Sequence, residues 1–246
     1  MAALPDFVDR FREIGESDPA TQGCWYIVAA VALTAAGEGS CIVELYQRAT
    51  HGLTLEAEKA VQRRLKEALL KTSIICGIPR ALEALLPLIN SLSEEQVEDY
   101  GPRTEAMERG ETREQRRHRA RGYLDTIWTP AYAGEGLGAM LKFHTDLNLL
   151  VLDAVYGLWL TEDRILGPVE TQMCNVAAMI CSSCPVQATW HTKGLIKHGG
   201  GMQQARFVEE VALAVAAQYG CSTAGLVPVD RIDFDESVGM LDRPAE

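Results

Sequence analysis

The sequence predicts an all-α fold built from two similar helical units, and three observations carry that prediction. Apolar residues recur at three- and four-residue spacing through most of the chain, and alternating β-branched runs are missing. Gly and Pro fall where helices would stop and restart. The third observation is internal repetition. Residues 29–52 (AAVALTAAGEGSCIVELYQRATHG) and 177–199 (AAMICSSCPVQATWHTKGLIKHG) each run from a small-residue apolar stretch, through a break and a mixed helix, to His-Gly. The match continues from 64–77 to 205–220, where Glu67 precedes Gly77 by the same ten residues that separate Glu210 from Gly220. A repeat of this size implies a duplicated helical unit whose copies pack on each other.

Helices are expected near 4–15, 21–36, 40–51, 54–76, 79–91, 94–99, 103–124, 136–158, 162–181, 185–198 and 203–219. The second to fourth of these hold the first copy, and the last three hold the second. Pro79 restarts a helix after a stop at Gly77. Ser93 with Gln96 resembles a capping box for 94–99. Residues 100–122 carry seven arginines and four glutamates, interspersed, which reads as a solvated helix laced by ion pairs rather than an anion-binding face. Pro185 suits the first turn of a helix that Gly199 ends. The chain therefore divides into a first unit (1–99), a charged helical linker (100–122), a second unit (123–225) and an acidic tail (226–246).

A length of 246 residues with 47% apolar content is enough for a real core. The net charge of −11 argues against nucleic acid and anionic membranes as partners. The longest apolar runs, Trp25–Ala36 and Leu149–Leu160, are too short to span a bilayer. The opening residues have neither a basic segment nor an apolar one, so no secretory signal is read there, and a cytoplasmic protein is expected. Seven cysteines without framework spacing are expected to be free thiols. No second Cys/His cluster has zinc spacing, so no metal is expected.

The residues that could carry chemistry lie between Glu170 and Gly201. Cys184 stands at the N-cap position before Pro185, where helix N–H groups favour a thiolate. His191 follows seven residues later, on the same face but roughly 10 Å along the axis, too far for a direct bond along one regular helix. Cys181 and Cys184 can be buried small hydrophobes or functional thiols. His51 and His198, beside helix-ending glycines, read as partners of the helix C-terminal dipole. His191 has the bland reading of a core histidine beside the functional one. The repeat favours function, because the matching position in the first copy is Glu44.

Residues 121–224 resemble the carboxymuconolactone decarboxylase family, whose other branch is the alkylhydroperoxidase D-like thiol peroxidases. The matching pieces are Gly122-Tyr-Leu-Asp-Thr-Ile-Trp128, Phe143-His144-Thr-Asp146-Leu147, Tyr156-Gly157-Leu-Trp159 and Leu160-Thr-Glu-Asp-Arg164-Ile-Leu166. Glu170, His191 with Gly199, Glu209-Glu210 and Tyr219-Gly220 follow. Residues 24–90 look like a degenerate second unit, marked by Arg64, Glu67, Gly77 and Pro79. The resemblance implies an all-α, alkylhydroperoxidase D-like fold in tandem and a homo-oligomer, expected as a dimer or trimer. In the register of His191 and Gly199, Cys184 takes the first cysteine position of the peroxidases and Gln187 the second. Gln172 lies where strict spacing puts the family's acidic residue, two places after Glu170.

The leading expectation is a cofactor-independent enzyme, a lyase or isomerase, acting on a small carbonyl, carboxylate or lactone metabolite. His191 would be the general acid/base, with Glu170 or Glu210 orienting it and Cys184 nearby. Arg164 would neutralise a carboxylate or enolate, and Trp159, Gln187 and Trp190 would line the substrate. The alternatives are a thiol antioxidant using Cys181 and Cys184, and a non-catalytic helical scaffold that binds a ligand or partner.

Overall fold

The computed structural model describes residue 4 and residues 6–235, and every regular element among them is helical. In chain order these are α1 (Phe7–Ser17), α2 (Trp25–Ala36), α3 (Ile42–Thr50), α4 (Leu55–Cys76), α5 (Ile78–Asn90), α6 (Pro102–Glu108), α7 (Arg113–Trp128), α8 (Pro130–Phe143) and α9 (Thr145–Leu149). A π-helical segment (Leu150–Leu160), α10 (Pro168–Cys181), α11 (Pro185–Lys197) and α12 (Met202–Tyr219) complete the set, with short 3-10 turns at Gly39–Cys41 and Val229–Arg231. None of these helices is long and apolar enough to cross a membrane.

Composition decides which helices go to the middle. In α2 every residue from Trp25 to Ala35 is buried, and in α10 every residue from Thr171 to Cys181. α2 is apolar on almost every side, and α10 adds only Thr171, Gln172 and Asn175 to an otherwise apolar buried stretch, so both need neighbours all round. α2 and α10 pack on each other, and each also packs on both long helices, α4 and α12. Residues before Leu88 and after Leu166 thus build one shared core, while Ala120 to Leu160, on α7, α8 and the π-helical segment, build a second.

The helix ends follow local chemistry. Gly77, at φ +91°, closes α4, and α5 restarts with Pro79 in its first turn. Thr112 and Gln115 form a capping box that opens α7, and Pro185 and Gly199 bracket α11. Four expected helices differ, and the one expected over 162–181 begins only at Pro168, with 162–167 irregular. The segment 94–99 is a turn, because Gln96 bonds to Gln62 and Glu58 on α4 instead of propagating a helix. The helix expected over 103–124 breaks at Gly110, whose φ of +86° ends α6. The helix expected from 136 begins at Pro130, ends at Phe143 and resumes after His144 as α9 and the π turn. Only glycine fits at Gly157, because a Cβ there would stand 2.5 Å from the Leu152 carbonyl oxygen.

The arginines of 100–122 are answered by carboxylates. Arg113 and Arg117 meet Asp153, Arg116 and Arg119 meet Glu111, and Arg121 meets Asp125. The first part of the acidic tail folds back on α12: Val229 N–H donates to Glu209 at 2.9 Å, and Asp230 pairs with Arg206. The rest of the tail, after 235, lies outside the described residues.

One charged cluster ties the halves together. Lys71 of α4 is fully buried, and its ammonium donates to the carbonyls of Leu160, Glu162 and Leu166 and to Thr171 Oγ1 at 2.7 Å. Glu67, one turn earlier, stands 3.8 Å from it and receives Arg103 through two bonds of 2.9 and 2.7 Å. A buried charge is tolerable only when answered in this way.

Candidate functional site

The candidate site is built where α7, α10 and α11 meet. His191 lies two turns into α11 and is 6% exposed. Its Nδ1 stands 2.7 Å from Oε1 of Gln172 on α10, and Gln172 Nε2 donates to the Tyr123 hydroxyl on α7 at 3.1 Å. The amide nitrogen is committed to Tyr123, so the amide oxygen faces the imidazole. The proton of the neutral ring therefore sits on Nδ1, and Nε2 carries the lone pair. Burial, reinforced by the nearby His198, pushes the His191 pKa down to about 4, so the ring is uncharged at neutral pH. Burial raises the Tyr123 phenol far above its ordinary value, so it stays protonated. Gly194 makes the approach possible, since a Cβ there would already stand 3.3 Å from Gln172 Nε2 and from Ile127.

The carboxylates expected beside His191 are elsewhere. Glu170 precedes Gln172 by two residues, a rotation of about 200°, so it leaves α10 on the opposite face. There it accepts the Gly167 N–H at the helix start and a 2.6 Å bond from Arg64, which also donates to Tyr26 and to the Gly23 carbonyl. Cys24 stands 3.8 Å from the same carboxylate, and burial, followed by that charge, pushes its thiol up to about 11. Glu210 is at the surface on α12, paired with Arg10 of α1 at 2.7 Å. The partner of His191 is thus Gln172.

The other expected site residues also scatter. Arg164 clasps Glu162, Glu105 at 2.9 Å and the Pro102 carbonyl, which fastens α6 to the loop before α10. The Trp159 carbonyl receives Arg103 at 2.8 Å, and its buried Nε1 has no hydrogen-bond partner. Gln187 is exposed. Trp190 packs edge-on against Trp128 at 4.9 Å and borders the second core. Cys181 is buried and its thiol donates to the Ala212 carbonyl at 3.4 Å, while Cys184 turns back to the Ser182 carbonyl at 3.5 Å. Ser183, at φ +58°, makes the sharp turn between them. Among the described residues no cluster of three or more His, Cys, Asp or Glu could hold a metal.

A cleft of about 200 Å³ borders Tyr123, lined also by Arg119, Thr126, Thr161, Asp163 and His198 among others. His198, expected to serve only the helix dipole, packs its ring 4.3 Å from Tyr123, and its Nε2 is buried without a hydrogen-bond partner. The cleft was not legible in the sequence. Its walls come from α7, the end of the π-helical segment, the start of α10 and the end of α11, which only folding brings together.

A curated relative, Peroxisomal protein 2 of Schizosaccharomyces pombe, is 23% identical over 201 residues, which cover 81% of this chain and 89% of that protein. No family model matches the chain. No solved structure matches it.

Proposed function

We propose that this chain is a cofactor-independent enzyme acting on a small carbonyl-bearing molecule, with His191 as the group that accepts and returns a proton. The observation that supports this reading most is the buried line His191–Gln172–Tyr123, which holds one tautomer and leaves Nε2 as an acceptor. With an amide in place of a carboxylate, the imidazolium has no countercharge and gives its proton back readily. That favours an isomerisation, in which the proton returns to the same molecule, over a decarboxylation that needs a lasting proton donor. Thiol peroxidase chemistry has less support, since the Cys181 thiol is committed to a core carbonyl. A non-catalytic binding scaffold is the second reading, favoured by the sealing of His191 at 6% exposure.

The tandem-repeat reading is supported by α2 and α10 each contacting both long helices. A homo-oligomer fits the exposed stripe Ile78, Leu82, Leu86 and Ile89 on α5. The relative's name suggests the peroxisome, beside the cytoplasm, as a place to look for this protein.

The test is proton exchange. Purified protein is incubated in D₂O with a cell metabolite extract, and deuterium uptake is read by mass spectrometry. At least one metabolite should gain deuterium with the wild type and not with a folded His191→Ala variant. If no exchange depends on His191, the enzyme reading fails and the scaffold reading replaces it.

A further inference from the structure

We infer that the tip formed by α8 and α9 in one copy of this chain docks in the groove beside α5 of a second copy. The tip is apolar and uncovered. Every residue of 141–147 is exposed, Phe143 at 78% and Leu141 at 58%. The groove holds about 460 Å³, opens to the surface and is walled mainly by Pro79, Leu82, Leu86 and Pro87. Within one chain α5 packs on α2, α3 and α4, and α8 on α7 and α9, which leaves both surfaces bare. An aromatic anchor in an apolar pocket is the usual centre of a stable interface. Charge selects this pairing. Glu83 stands in the groove wall, and Arg80, one turn earlier, donates to the Ala35 carbonyl instead of to it. The Lys142 ammonium lies 4.8 Å from the centre of the Phe143 ring. Among the described residues neither Glu83 nor Lys142 has an ion-pair partner. A Phe143 ring seated in the groove therefore brings an unpaired ammonium to an unpaired carboxylate. An antiparallel pairing of α5 with itself would do the reverse. Glu83 is at the middle of the 78–89 stripe, so it would meet the partner's Glu83, and the tip would stay bare.

The contact rests on the homo-oligomer reading and names its two surfaces, and it is independent of the chemistry proposed for His191. Reciprocal docking closes a dimer, and head-to-tail docking closes a ring. The experiment is light scattering of the full chain at micromolar concentration. The wild type should be an oligomer. Phe143→Asp and Leu86→Asp, both at exposed positions, should keep the wild-type circular dichroism and run as monomers. Glu83→Lys and Lys142→Glu should each weaken association at least about tenfold, and the two together should restore it. A wild-type monomer overturns this contact and the homo-oligomer reading together. If that monomer floats with phosphatidylcholine vesicles and Phe143→Asp does not, the tip belongs to lipid. An oligomer that survives both aspartate variants overturns this contact alone, as do charge reversals that fail to rescue each other.

Discussion

Two polar centres lie on opposite sides of α10, and they are built on opposite principles. On one side the groups are charged: Lys71, Glu67 and Arg103 in one cluster, Arg64 and Glu170 in another. Each charge is met by an opposite charge or a ring of carbonyls, and several reach from one half of the chain into the other. On the other side His191, Gln172 and Tyr123 are uncharged and joined in a single line. A buried ion pair fixes position, because losing either partner leaves a charge stranded. The buried imidazole is held neutral, because burial disfavours its charged form. The difference teaches that charge on this helix gathers where the halves are clasped together, while the side with the candidate site is neutral.

The comparison breaks first at Lys71. Lys71→Met removes the ammonium and leaves three carbonyls and the Glu67–Arg103 pair without it. The expected loss is about 3–5 kcal/mol in urea unfolding. A loss under about 1 kcal/mol would show that the clasp is ornamental.

Acid tests the other centre. The folded pKa of His191 is about 4, below the ordinary histidine value near 6.5. Above pH 6.5 the ring is neutral in both states and its contribution is whole. As pH falls from 6.5 through about 4, the unfolded chain takes up the proton first, and about 3 kcal/mol of stability is lost. Wild type should lose that much more than His191→Leu over this window, which cancels the carboxylates common to both. Equal slopes would mean that the ring is protonated in the folded protein.

The smallest effect sharpens the neutral side. Tyr123→Phe deletes one hydrogen bond, so about 1 kcal/mol is expected in thermal unfolding. It also frees the Gln172 amide to turn, so the His191 ring signals should broaden or double in NMR. An unchanged His191 spectrum would show that Tyr123 does not set the tautomer.

Much of the architecture was legible from composition and punctuation. The stops at Gly77 and Gly199 and the Pro restarts each act within a few residues, so each can be read in order along the chain. His191 could be singled out by the repeat, but its partner could not. Glu170 was the expected carboxylate because the eye follows charge. Two residues of helix turn it to the far face, where Arg64 was waiting from another part of the chain. Lys71, between Leu69-Leu70 and Ile74-Ile75, carried a signal that could have been used: a lysine buried among such residues must find acceptors.

The sequence by itself determined that the chain is helical and where most of its helices end. These are consequences of backbone preference and of water's exclusion from apolar surface, and both act locally. The tertiary structure alone decided that Gln172 rather than Glu170 or Glu210 meets His191, that Arg164 is a clasp, and that His198 lines a cleft. Those outcomes depend on the rotation of one helix against another, where a shift of two residues exchanges one face for its opposite.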